Sequence, residues 1–318
     1  MSNPAAIAKL GKLAVSAANA STSAPAATRL FFTSFKPGCK REKIDIGENV
    51  GGFSDLGHPI ELTRQNITRV APTLSAKPST AEWKIFLDWI MNATPTGFGT
   101  TLAGGGTGPY IWATPGVPMF DRTLEYQDTQ KFWHMSGIGI NRAILTAEAG
   151  KELQLTLEMQ GIDYNNTGTF PTLSYTASLG PRFLFGDQAV VIAGIGSPVR
   201  CRKMMLTIYH GLINDRFFYG FTSAGPVNTD RKYELELEVP YGIHNTLVDL
   251  CAVDGGVAGS MTFTYGASVM IFTMPKLRSD AVSVDMDVAR DEMFLPWKAQ
   301  AFDDQTTPAS GFQASLVL

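Results

Sequence analysis

The sequence predicts a mainly β protein built as two tandem β-sandwich or half-barrel domains, each with one short flanking α-helix. Three observations carry this: stretches of strict two-residue alternation, one helical stripe in each half, and the same order of elements on both sides of a midpoint. At 318 residues and 44% hydrophobic content the chain can bury a core of this size.

The alternation is clearest in KELQLTLEMQG (151–161). Leu153, Leu155, Leu157 and Met159 fall on one side, and Glu152, Gln154, Thr156 and Glu158 on the other. That period belongs to a strand with one dry and one wet face. YELELEV sets Glu234, Glu236 and Glu238 against Leu235, Leu237 and Val239, and VSVDMDV sets Asp285 and Asp287 against Val284, Met286 and Val288. The helices are PSTAEWKIFLDWIMN (78–92) and YGIHNTLVDLCAV (241–253). In the first, Ser79 or Thr80 is the cap, Glu82 lies in the first turn, and Trp83, Phe86, Leu87 and Ile90 form the stripe. In the second, Ile243, Leu247, Val248 and Cys251 do the same.

Each helix follows a strand, ITRVAPTL (67–74) or KYELELEV (232–239). Each precedes a strand pair: FWHMSGIGINRAILTAEAG with KELQLTLEMQG, and MTFTYGASVMIFTMPKL with AVSVDMDV. PGCKREKIDIG (37–47) also lies on PVRCRKMMLTI (198–208) when Cys39 is set on Cys201, an offset of 162. The expected organisation is an N-terminal arm over 1–28, a first copy over 29–165 with an insertion loop at 93–118, a linker over 166–182, and a second copy over 183–318. The arm is Ala/Ser-rich and its apolar run is short for a signal peptide; Ile7, Leu10, Leu13 and Ala14 could line a short helix, and the expectation is a flexible arm or one ordered by a neighbouring subunit.

Motifs for catalysis or cofactor binding are not found, so the expectation is a non-enzyme without cofactor or metal. His58, His134, His210 and His244 lack metal-ligand spacing, AGGGTGP (103–109) lacks the ending of a phosphate loop, and no GxSxG or HExxH occurs. Carboxylates in DVARDE and FDDQ have no evident partner. Cys39, Cys201 and Cys251 read as reduced, partly buried thiols. A net charge of −3 gives no general pull toward nucleic acid or an anionic membrane, and no apolar run spans a bilayer. Trp83, Trp89, Trp112, Trp133 and Trp297 are the only basis for a carbohydrate-binding or hydrolytic sandwich, and Trp83 and Trp89 fit a helix core better.

The acidic strand faces have two readings. One is solvation and protection of a sheet edge. The other is a negative surface that repels phosphates, lined by Glu152, Glu158, Glu234, Glu236, Glu238, Asp285 and Asp287. Basic clusters Lys40, Arg41 and Lys43, and Arg200, Arg202 and Lys203, then belong at joints between subunits.

With these elements in place, the chain resembles the tail tube proteins of long-tailed bacteriophages. The likeness rests on VAPTLSAKPSTAEWKIFLDWIM, on FWHMSGIGINRAILTAEAGKELQLTLEMQGID, and on FTMPKLRSDAVSVDMDVARDEMFLPWKAQAF. The resemblance implies a sandwich whose sheets join those of neighbours into a ring-shaped β-barrel, with rings stacked into a hollow tube for phage DNA. It implies a virion protein made in the bacterial host cytoplasm, whose partners are itself, tape-measure and tail terminator or baseplate proteins, and DNA in passage without specific binding. Two copies per chain imply three chains in a pseudo-sixfold ring, or six chains with one copy outside. Loops 47–59 and 211–231, with Phe53, Asp55, Phe217, Phe218 and Tyr219, are the expected contacts between rings. Another tail component of related fold, such as a completion, baseplate-hub or adaptor protein, is the alternative.

Overall fold

The computed structural model describes residues 11–16, 28–45, 63–91, 101–102, 106–111, 122–128, 131–169, 180–195, 198–213, 227–228, 231–240, 246–250, 253, 255–279, 294–302 and 312–317. The fold is mainly β and antiparallel. The first half runs β1 (Lys12–Val15), β2 (Thr28–Leu30), β3 (Ser34–Lys36), β4 (Cys39–Asp45), β5 (Thr63–Val70), β6 (Thr73–Ala76), α1 (Thr80–Ile90), β7 (Thr101–Leu102), β8 (Gly106–Ile111), β9 (Arg122–Gln127), β10 (Phe132–Glu148), β11 (Gln154–Gln160) and β12 (Asp163–Asn165). The second runs β13 (Gln188–Ile192), β14 (Lys203–Tyr209), β15 (Leu212–Ile213), β16 (Val227–Asn228), β17 (Lys232–Pro240), α2 (Thr246–Asp249), β18 (Val257–Tyr265), β19 (Ser268–Ser279), β20 (Phe294–Phe302) and β21 (Gln313–Val317).

One scheme of pairings occurs in both halves. In the first, β1 pairs with β9, β9 with β10, β10 with both β12 and β11, β11 with β6, and β6 with β3; β4 and β5 form a hairpin between β3 and β6. In the second, β13 pairs with β18, β18 with β19, β19 with both β21 and β20, β20 with β17, and β17 with β14; β15 and β16 form the hairpin between β14 and β17. The two halves then join: Arg142–Glu148 of β10 pair with Tyr209–Lys203 of β14. The first-half hairpin β7–β8 also lies on β21 of the second half. Followed strand to strand, these pairings branch but never return to their start, so among the described residues the sheet is open.

The alternation read in the sequence is what buries one face. Leu155 and Leu157 of β11, and Leu235 and Leu237 of β17, are at most 2% exposed, while Thr156, Glu158, Glu234 and Glu236 on the same strands are half-buried. Over the dry face lies α1, which starts in a capping box. Ser79 accepts from the Glu82 amide, and Glu82 Oε2 accepts from the Ser79 amide at 2.9 Å. Trp83, Phe86, Leu87, Trp89 and Ile90 are fully buried, and Trp89 Nε1 donates to the Ile138 carbonyl at 3.1 Å.

β10 serves two layers. Its start pairs with β9 and β12 and its end with β11 and β14, with register shifts between Met135 and Ile138 and between Ile140 and Arg142. Gly137 sits at this bend with φ +62°, where a Cβ would lie 2.3 Å from Ile162 Cδ1.

Several expectations are corrected. Residues 12–15 of the supposed arm are a paired strand, with Leu13, Ala14 and Val15 fully buried, and not part of a helix. Part of the 93–118 loop is the hairpin β7–β8. MTFTYGASVMIFTMPKL holds not one strand but the end of β18, a turn at Gly266 (φ +59°) and the start of β19. The counterpart of β11 is β20, FLPWKAQAF, and not AVSVDMDV, which lies outside the described residues. The described part of the second helix is Thr246–Asp249.

The match of Cys39 to Cys201 fails as well. Stepping across the registers, Lys36, Thr73, Glu158, Arg142, Tyr209 and Lys232 lie in one row. Cys39 therefore lies beyond that row and Cys201 beyond the opposite end of β14. The position equivalent to Gly211 (φ +56°) is Gly38 (φ +58°), each turning the chain from an edge strand into the protruding hairpin. The matching offset there is 211 − 38 = 173 residues.

Candidate assembly surface

The wet face crosses both halves without interruption, through β3, β6, β11, β10, β14, β17, β20 and the end of β19. The predicted acidic positions that are described do lie on it or at its border, but none is bare. Lys298 of β20 contacts Glu234 Oε2 at 2.9 Å and Glu236 Oε1 at 3.0 Å. Arg202 reaches Glu238 Oε1 at 2.6 Å and also lies 4.2 Å from the centroid of Phe294. Arg142 stands 3.7 Å from Glu158. Glu152 is held between Lys77, at 3.0 Å, and Arg182, at 3.2 Å.

These pairings tune the charges. Hydrogen bonds from Lys77 and Arg182 lower the Glu152 pKa against a small desolvation effect, the Lys151 hydrogen bond lowers that of Glu148, and the bonds to Glu234 and Glu236 raise that of Lys298. The expected negative surface is thus a face of alternating charge: rows of like carboxylates along one strand are tolerated because a cation stands on the next strand. The cations were legible only in part. FLPWKAQAF carries Lys298 at a wet position, but nothing local says that β20 lies beside β17. Asp285 and Asp287 lie outside the described residues.

The basic candidates divide. Lys203 lies at the joint inside the chain, opposite Glu148 of the other half, while Arg202 holds Glu238 within its own half. Lys40 and Arg200 are exposed; the side chains of Arg41 and Lys43 lie outside the described residues.

The two ends of the sheet differ. At the end carrying Glu148, Lys151, Glu152, Arg202 and Glu238, charged side chains are ion-paired. At the other end stand the exposed apolar residues Tyr209, Ile213 and Phe302. From that same end both hairpins protrude, β4–β5 and β15–β16, whose intervening residues 46–62 and 214–226 lie outside the described ones. Phe53, Asp55, Phe217, Phe218 and Tyr219 belong to those segments.

No group of three His, Cys, Asp or Glu able to hold a metal occurs among the described residues. His134 contacts Glu125 at 2.9 Å, and His210 is fully buried, its pKa pushed down to about 3 chiefly by desolvation. Burial raises the Cys39 thiol to about 12 and also raises Cys201, so neither is an activated nucleophile. Trp83, Trp89 and Trp297 are at most 1% exposed and offer no platform for a sugar; Trp133 is half-buried against Tyr164, and Trp112 lies outside the described residues. Among the described residues no helix is long and apolar enough to cross a membrane. No protein-family model matches the chain, and no curated protein matches it.

Proposed function

We propose that this chain is a non-enzymatic structural subunit: a duplicated tube domain that self-assembles into stacked rings, as in the tail tube of a long-tailed phage. The observation that carries the reading is the union of two equivalent halves in one open sheet with a single wet face. An open sheet of this width has edges that call for partners. A head-to-tail contact that repeats the relation between the halves closes into a ring if its rotation divides the circle.

The strand count favours three chains. Each chain supplies eight strands to the wet face: β3, β6, β11, β10, β14, β17, β20 and β19. Three chains give a barrel of about 24 strands, whose spacing of ~4.8 Å sets a backbone diameter of about 37 Å untilted and about 48 Å at a 40° tilt. After lining side chains, that leaves room for a duplex roughly 20 Å across. Six chains would double the diameter. The arrangement with one half inside and the other decorating the outside sits poorly with a β10–β14 joint that makes both halves one sheet.

The mixed-charge face also suits passive transport. Arg142, Arg202 and Lys298 on it are occupied by carboxylates, so phosphates gain little by displacing those. The end bearing both hairpins and Tyr209, Ile213 and Phe302 is the natural contact with the next ring.

Electron microscopy of the concentrated protein tests the reading. Stacked rings with an open bore are expected. A finite ring or adaptor without filaments would instead favour another tail component, and a dispersed monomer would remove both.

A further inference from the structure

His210 stands where four parts of the chain meet. The alternation of β14 turns Ile208 and His210 to the dry face and Tyr209 to the wet one, and His210 is fully buried. Its ring hydrogen-bonds with the backbone of Ile90, at the end of α1, and the Arg231 guanidinium acts on it from just before β17. Its own amide donates to the Asn141 carbonyl of β10 at 2.8 Å. Two residues on, the Leu212 amide donates to Asn141 Oδ1 at 2.9 Å. Asn141 is where the register of β10 shifts, between Ile140 and Arg142. It clasps the chain on both sides of Gly211, where β14 turns into the hairpin β15–β16.

We propose that His210 and Asn141 form an acid-released latch. With His210 neutral they hold residues 210–213 on β10; protonation of His210 releases that stretch while the β10–β14 joint stays closed.

The groups around the ring set the sign. Arg231 repels an imidazolium, and from β10 the side chain that meets this stretch is the uncharged amide of Asn141. The neighbouring acids are engaged elsewhere: Asp88 of α1 acts on Arg122, Glu158 of β11 stands beside Arg142, and Glu234 of β17 is held by Lys298. Tyr233 of β17 is stacked on Phe312, and Tyr209 is exposed on the other face. Burial keeps the ring neutral in the closed chain, with its pKa at about 3. Released into water, the ring returns to about 6.5. Below that pH the open form binds a proton and the closed form does not, so opening becomes easier as pH falls from about 6.5 toward about 3.

Unequal anchoring decides which part opens. β14 has seven register pairs on each edge, with β10 and with β17. β15 has two, Leu212↔Asn228 and Ile213↔Val227. Without the Asn141 clasp, little else among the described residues holds 210–213 in place.

Hydrogen exchange on the dilute full chain at pH 7 and pH 5, each compared with intrinsic rates, tests the latch. Residues 210–213 are expected to exchange faster than 203–209 at both pH values and to keep their rate in low urea, the mark of a local opening. Their protection is expected to fall by about 25-fold from pH 7 to pH 5, the proton-binding ratio of an imidazole of pKa about 6.5. His210→Gln should show no such fall, and Asn141→Ala should have low protection at both pH values. Should His210→Gln fail to fold, the wild-type pH series and Asn141→Ala decide. Exchange of 210–213 in step with 203–209 at every urea concentration, protection that ignores pH, or an equal fall in His210→Gln would overturn the latch. The latch belongs to the single chain, so these results stand apart from whether tubes form.

Discussion

His210 follows β14 at the joint between the halves, and its burial makes it sensitive to acid. Desolvation is the main cause of its depressed pKa, with the Arg231 charge adding to it and a hydrogen bond with the Ile90 backbone opposing. In the unfolded chain the imidazole returns to about 6.5. Above that pH both states are neutral and the residue contributes no pH dependence. Below it the unfolded state binds the proton first, so stability falls between about 6.5 and about 3, where the folded group finally titrates. Urea unfolding at pH 7 and pH 5 should therefore show a loss of about 2 kcal/mol from this group, on the rule of about 1.4 kcal/mol per pH unit. His210→Gln should lose correspondingly less over the same interval; equal losses in the two proteins would remove His210 as the sensor.

At the scale of elements, α1 does more than cover the sheet. Glu82 is 2% exposed and accepts three hydrogen bonds, from the Ser79 amide, the Ser79 hydroxyl and the Phe31 amide. The first two close the helix start, and the third fixes the chain just before β3. Glu82→Ala is expected to cost about 2 kcal/mol, the scale of lost hydrogen bonds to a charged group, and Ser79→Ala about 1 kcal/mol for a lost cap. Urea midpoints measure both.

This capping box was legible in the sequence, as was β11, because cap chemistry and two-residue alternation are local. What the sequence hid is pairing at long range. AVSVDMDV has a stronger alternation than FLPWKAQAF, yet β20 is the strand that lies against β17. The Cys39–Cys201 match was attractive because basic residues flank both. The positions that truly correspond, Gly38 and Gly211, are marked by a backbone conformation that a single glycine letter does not announce.

For the whole molecule, the joint between the halves and the joint between chains together set the curvature. If the inner and outer joints are the same contact, each chain spans two equal steps and three chains complete six. Among the described residues two differences break that equality: β7–β8 lies on β21 in the second half alone, and β2 lies on β1 in the first alone. A ring built this way should be sixfold in its strand-lined bore and threefold in its outer layer. Rotational averaging of end-on particles by cryo-electron microscopy is the measurement. It should return a backbone diameter of about 37–48 Å, from 24 strands at a spacing of ~4.8 Å, with threefold density outside the barrel. A ring of six chains with a bore of this same width would mean that only one half of each chain faces inward. The continuous pairing of Arg142–Glu148 with Lys203–Tyr209 would then have to break on assembly, and hydrogen exchange at 203–209 would rise where an intact joint keeps it slow.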